Sequence, residues 1–386
     1  MKGKFLVISF VEKLIKVNLR VVVMTLVLLI AFDVSLRLWI LPHYLDPNAR
    51  EAGSGTASME VPAIKRLPAD DLNTLTLWKN EMQSQSGFKV VFLGDSVVHG
   101  GGVPDEKSTI PAYFARELKV LLPGKDVKVY NFSLPGCTPN DTYNIYRFVA
   151  DVKPDLIIYD TNIGWFGSKN IMEHPRLAEL SKAPASSPAQ QGSAKKKEFD
   201  LEETLASFAS DHWSLYRNRI FLNYVWFGKP LRERLVIDTT PKEQKEADQL
   251  TDKKELYKPW YEKNFDVLKK TKGKLGYVGL NDYNQHWVMY KKLMAEIKQD
   301  RINTVIFMVP RNVPLYRKYN LIDDKVLEER QASLASVAAD SGVPAFDYTY
   351  VVNDRYFTDS VHLTADGNRI IAERLAWDIV NKKVIK

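Results

Sequence analysis

Three residue types that together can perform acyl transfer occur in this chain as Ser96, Asp359 and His362. A serine hydroxyl is a weak nucleophile until a base takes its proton and a third group orients that base. Ser96 stands in VVFLGDSVVHGGG, residues 90–102, where an apolar run stops at a small polar triplet and opens into glycines. His362 stands in YFTDSVHLTADGN, with Asp359 three residues before it. That spacing lets a carboxylate fix the imidazole tautomer and stabilise the cation. The order Ser, Asp, His is compatible with a hydrolytic triad, although order alone proves nothing. Attack on an ester also needs donors for the developing oxyanion. The candidates are the backbone N–H of Ser96, the backbone N–H of Gly136 in NFSLPGC, and the side-chain amide of Asn162.

These groups must be gathered by the elements around them. FKVVFLG (88–94), VKVYNFS (127–133), DLIIYDTN (155–162), INTVIFMVP (302–310) and VPAFDYT (343–349) read as short apolar strands. Helices are expected over 70–85, 110–122, 142–152, 323–340 and 364–381. Ser108 or Thr109 would cap the second of these, and Thr364 the last. Strands alternating with helices imply a parallel sheet covered on both faces, with ligands beyond the carboxyl ends of the strands. Gly94-Asp95-Ser96, Asn131 to Gly136 and Asp160 to Asn162 all fall at such ends, so three distant loops should share one rim.

FLGDSVVHG, the glycine after the second strand, the asparagine after the third and DSVHLTADGNRIIAERLA near the C-terminus resemble the SGNH (GDSL-type) hydrolases. The resemblance covers about 88–165 and 300–381. It implies a flavodoxin-like three-layer α/β/α sandwich. It also implies Ser96 as nucleophile and oxyanion donor, Gly136 and Asn162 as further donors, His362 as base and Asp359 as its partner. The third block departs from the usual Gly-x-Asn, reading Asp160-Thr161-Asn162. No metal or organic cofactor is implied. The expected activity is a serine esterase cleaving O-acyl, in particular O-acetyl, esters. Its substrate would be an acylated saccharide outside the cytoplasm, or a small ester. An O-acyltransferase modifying envelope polysaccharide would share the acyl-enzyme, and a non-catalytic glycan-binding or assembly protein is a further alternative. A membrane-anchored member also resembles envelope-glycan O-acyl enzymes in architecture.

The chain has 386 residues and one cysteine, Cys137, which excludes an intrachain disulfide and a cysteine-based zinc site. Of the net charge of +7, residues 1–20 hold +4, so the basic balance does not point to nucleic acid. That basic flank precedes an apolar stretch over 19–41, interrupted by Asp33, Ser35 and Arg37. It is expected to be a single-pass anchor with residues 1–18 cytoplasmic and the catalytic domain periplasmic. A cleaved signal peptide lacks a good cleavage site here, and a buried soluble helix is the plainer reading. Residues 42–69 read as a tether and 70–386 as the hydrolase-like domain, with a helical, aromatic-rich insert at about 166–300. APASSPAQQGSAKKKE (183–198) is low-complexity.

Other candidates have plainer readings. Asp95 is expected to shape its loop, His99 to face solvent and Cys137 to be a small buried residue. His174, His212 and His286 show no metal-ligand spacing. Eight lysines and three acids over 253–274 suit an anionic glycan or headgroup, but also a solvated helical face. Trp165, Phe166, Trp213 and Trp260 suit a sugar platform, but buried aromatics are the default.

Overall fold

A computed structural model describes residues 19–40, 72–180, 213, 256–271 and 273–385. The tether over 42–69, the low-complexity stretch, His212 and much of the expected insert lie outside the described residues. The chain forms two compact units, residues 1–55 with 189–235, and residues 56–188 with 236–386.

In the first unit, helix α1 spans Leu19–Ser35 and a π-helical turn follows over Leu36–Ile40. The expected single span over 19–41 is therefore not one regular helix. The 17 residues of α1 extend about 26 Å at 1.5 Å per residue. Ser35 Oγ donates to Ala31 O at 2.9 Å in the last turn, a back-bond of the kind that bends helices. Among the described residues no helix is long and apolar enough to cross a membrane.

The second unit begins with α2 (Leu72–Ser84) and β1 (Phe88–Leu93). Then come α3 (Ser96–His99), α4 (Ile110–Leu121), β2 (Val127–Asn131), α5 (Pro139–Ala150) and β3 (Leu156–Thr161). After β3 the described elements are α6 (Gln285–Asp300), β4 (Thr304–Met308), α7 (Val313–Lys318), α8 (Asp324–Asp340), β5 (Ala345–Asp347) and α9 (Ala365–Asn381). The five strands are parallel in the order β2-β1-β3-β4-β5. This is a doubly wound sheet whose strand order reverses at β1 and β3, where such sheets open a crevice at their carboxyl ends.

The two faces follow from the period of two along each strand. Phe92, Val129, Ile158 and Phe307 turn to one side and pack with Phe114 and Leu118 of α4 and Ile371 and Leu375 of α9. Phe92 and Phe114 meet edge to face at 5.2 Å between centroids. On the other side α5, α6 and α8 are joined by buried tyrosines. Tyr143 Oη donates to Glu296 at 2.5 Å, Tyr146 Oη to Asp300 at 2.7 Å and Tyr290 Oη to Leu334 O at 2.9 Å. Every residue of β3 is buried, as expected of a strand covered on both faces. The strands and the helices α4, α5, α8 and α9 fall where the hydrophobic pattern predicts them, within a few residues. Thr109 occupies the N-cap of α4 but makes no side-chain capping bond; its hydroxyl donates to Glu106 O instead.

Candidate active site

The polar triplet after β1 is a strand-to-helix turn. Asp95 caps α3 by accepting from Val97 N at 2.8 Å, which makes Ser96 the first residue of that helix. A first-turn N–H has no intrahelical acceptor, so the Ser96 N–H is available to an oxyanion. Gly94 has φ of 143°, and a Cβ there would lie 1.8 Å from Asp160 Oδ1. The turn is thus built around the carboxyl of Asp160, which accepts from Asp95 N at 3.0 Å.

His362 and Asp359 are held by a tight turn before α9. Asp359 Oδ1 accepts from the backbone N–H groups of Val361 and His362, each at 2.8 Å, and Thr358 N donates to His362 O at 2.8 Å. Asp359 Oδ2 is then 2.6 Å from His362 Nδ1, and His362 Nε2 is 2.7 Å from Ser96 Oγ. The carboxylate fixes the proton on Nδ1, leaving Nε2 as the acceptor facing the serine. Both side chains remain partly open, at 23% and 27% exposure. Burial acts to lower the His362 pKa, but the hydrogen bond and charge of Asp359 outweigh it and hold the imidazole above the ordinary histidine value. Burial likewise acts to raise Asp359. Its bonds to His362 and to the two backbone N–H groups win, and hold the carboxyl below its usual value.

Gly136 follows β2 in a loop tied to the Ser96 turn by Leu134 N to Gly94 O at 3.1 Å. Its φ of 79° lies in the left-handed region. The loop is braced from outside the expected residues. His174 Nε2 is 2.7 Å from Pro135 O, so Nε2 carries the proton. Buried Asp141 accepts from Thr138 N, Glu173 N and His174 N at 3.0 to 3.2 Å. Asn162 follows β3, and its Nδ2 donates to Asp95 Oδ2 at 2.5 Å. Asp95 Oδ2 also accepts from Trp165 Nε1 at 2.6 Å. Ser96, His362 and Asp359 thus form one hydrogen-bonded chain, and Asp95, Asn162 and Trp165 form a second group beside it.

Sequence reasoning missed Asp160 and Arg311. Asp160 is buried; desolvation and then the Asp95 charge push its carboxyl well above the usual range. Arg311, in the loop just beyond β4, is 4% exposed and donates through Nη2 to Asn162 Oδ1. Its position at the carboxyl end of a central strand was the available signal. One expectation changes. His99 is buried, 9% exposed at the end of α3, rather than solvent-facing. Trp165 is tied to Asp95, and Phe166 packs edge-on against Tyr290 in the core, in keeping with the plainer reading of these aromatics. Trp260 also packs on the core and donates to Asp354 O. Cys137 is buried as expected, and burial pushes its thiol well above the ordinary value. His286 is buried against Ser168 O. Among the described residues no cluster of ligating side chains could hold a metal ion.

No protein-family model matches the chain. No curated protein matches it. Among solved structures, the chain is similar to an acetylxylan esterase from Geobacillus stearothermophilus at 15% identity and a TM-score of 0.39, over 77% of this chain and 96% of that one. It is also similar to a lipase/acylhydrolase from Enterococcus faecalis at 10% identity and a TM-score of 0.38, over 76% and 96%. A third is LAE5, an α/β hydrolase from the metagenome of Lake Arreo, at 12% identity and a TM-score of 0.37, over 79% and 100%. No residue role is transferred across likenesses this loose.

Proposed function

We propose that this chain is a serine esterase of the SGNH type that cleaves O-acyl, in particular O-acetyl, esters on an extracytoplasmic saccharide. The observation that carries this reading is the unbroken chain of contacts from Ser96 Oγ through His362 to Asp359, at 2.7 and 2.6 Å. Ser96 Oγ attacks the acyl carbon while His362 Nε2 takes its proton. The tetrahedral oxyanion accepts hydrogen bonds from Ser96 N–H, Gly136 N–H and Asn162 Nδ2. The bond to the alcohol then breaks, and His362 gives its proton to the leaving oxygen. Water, deprotonated by the same imidazole, attacks the acyl-enzyme and releases the acid. Asp359 stays ionised and stabilises the imidazolium in both halves.

A fluorophosphonate probe should label the full chain and fail to label Ser96→Ala. Ser96→Ala and His362→Ala should each lower p-nitrophenyl acetate turnover by about 10⁴-fold or more. Near-wild-type turnover in either variant would overturn the reading. Products formed with and without an acceptor glycan separate hydrolysis from acyl transfer.

The same reading places the catalytic unit outside the cytoplasm, held at the membrane by its N-terminal segment. Met24 and Leu28 of α1 are 65% and 66% exposed, an apolar surface beside a basic flank. A topology reporter fused after residue 60 should be active only outside the cytoplasm; cytoplasmic activity refutes this localisation.

A further inference from the structure

The Asn162 amide could present either its nitrogen or its oxygen to a substrate, and only its neighbours decide which. Its Oδ1 accepts from Gly164 N at 2.9 Å and from Arg311 Nη2. Its Nδ2 donates to Asp95 Oδ2 at 2.5 Å. A flipped amide would set its NH₂ against two donors and its oxygen against a carboxylate. Asp95 cannot yield to such a flip, because Val97 N and Trp165 Nε1 already hold both its oxygens. Nor can Arg311 move freely. Its backbone N donates to Thr349 O at 3.0 Å, and the adjoining Asn312 holds the acid loop through Nδ2 to Asp359 O at 3.0 Å and N to Ser360 O at 3.1 Å.

Arg311 is costly for the fold. It is a cation 4% exposed, and its Nε is a buried donor with no hydrogen-bond partner. Burying a charge without full compensation destabilises a protein, so such a group calls for another reason. The reason lies at Asn162. A guanidinium on Oδ1 polarises the amide and strengthens the remaining Nδ2 hydrogen as a donor.

We propose that Arg311 is a positioning residue that locks the Asn162 amide with Nδ2 turned toward the reacting carbonyl. The inference rests on the serine-esterase reading. It differs from that reading in assigning the quality of the oxyanion donor to a buried cation in the loop after a different strand.

The test measures p-nitrophenyl acetate kinetics on the full chain for wild type, Arg311→Met, Asn162→Ala and the double variant. Arg311→Met should lower kcat by about 10²-fold with KM within about twofold, because the lost interaction belongs to the transition state. In the Asn162→Ala background the same change should cost less than about threefold, since the two residues act as one unit. The acidic limb of the pH–rate profile should also move to higher pH, because the Arg311 charge opposes protonation of His362. If Arg311→Met fails to fold, Arg311→Lys takes its place, and its loss of kcat must likewise vanish in the Asn162→Ala background. Unchanged kcat, or losses that multiply in the double variant, overturn the inference while the esterase reading stands. An inactive wild type overturns both.

Discussion

Gly101 and His362 are in such close contact that a Cβ on the glycine would stand 2.7 Å from both Cδ2 and Nε2 of the imidazole. The glycines after Ser96 therefore serve the histidine that faces it. The neighbouring Gly102 has the same relation to the backbone, where a Cβ would fall 2.2 Å from Leu363 O.

Gly101→Ala should displace the imidazole and lower kcat by about 10²-fold, the scale expected of a misplacement near 1 Å. The fold should survive, which circular dichroism would check beside the kinetics. Gly167→Ala, where a Cβ meets nothing within 4 Å, should retain wild-type rates.

The pH dependence of turnover follows from the base. His362 must be neutral to accept the Ser96 proton, and its pKa is held above 6.5 by Asp359 despite burial. The acidic limb of kcat/KM should therefore rise through a value above 6.5. In Asp359→Asn the limb should shift to lower pH and kcat should fall by about 10⁴-fold. A profile of kcat/KM against pH for both proteins decides it.

Stability should follow the same pair in the opposite sense. The lowered Asp359 stabilises the fold above its unfolded value of 3.8, and that is lost as pH falls through its folded value. The raised His362 stabilises below 6.5, and that is lost as pH rises through its folded value. The pair thus contributes most between about 3.8 and 6.5, a range in which the base is largely protonated. The thermal midpoint of wild type relative to Asp359→Asn, measured across pH, should be greatest in that window.

Asp160 should behave as a neutral group. Its raised pKa means that its contribution to stability is fully present below 3.8 and is lost as pH rises from there to its folded value. Asp160→Asn keeps the acceptor for Asp95 N, so it should stay within about 1 kcal/mol of wild type near pH 4 and exceed it increasingly as pH rises toward neutrality. Asp160→Ala leaves that N–H unpaired and should cost about 1–3 kcal/mol. Urea denaturation at two pH values separates the cases.

Much of this was legible in the residues. The five apolar runs announced the strands, because period and run length report burial directly. The pairing of Asp359 with His362 was also legible, being a contact between residues three apart. Arg311 was not, because nothing adjacent in sequence shows that its guanidinium meets Asn162 across the end of the sheet. His99 was read as a loop residue, because the one-turn helix that buries it arises only once Asp95 caps it. Trp165 was read by default as a packed aromatic, but its bond to Asp95 was not legible, because it joins loops 70 residues apart.

Sequence by itself determined the strand-to-loop breaks, the capped turn before the last helix and the residue types at each strand end. These depend on local periodicity and on contacts within one turn. Tertiary structure alone decided that Ser96 and His362, 266 residues apart, come within 2.7 Å, and which way the Asn162 amide points. Such contacts require the entropy of closing long loops to be overcome by a packed sheet, and no local pattern encodes which distant groups that packing will join.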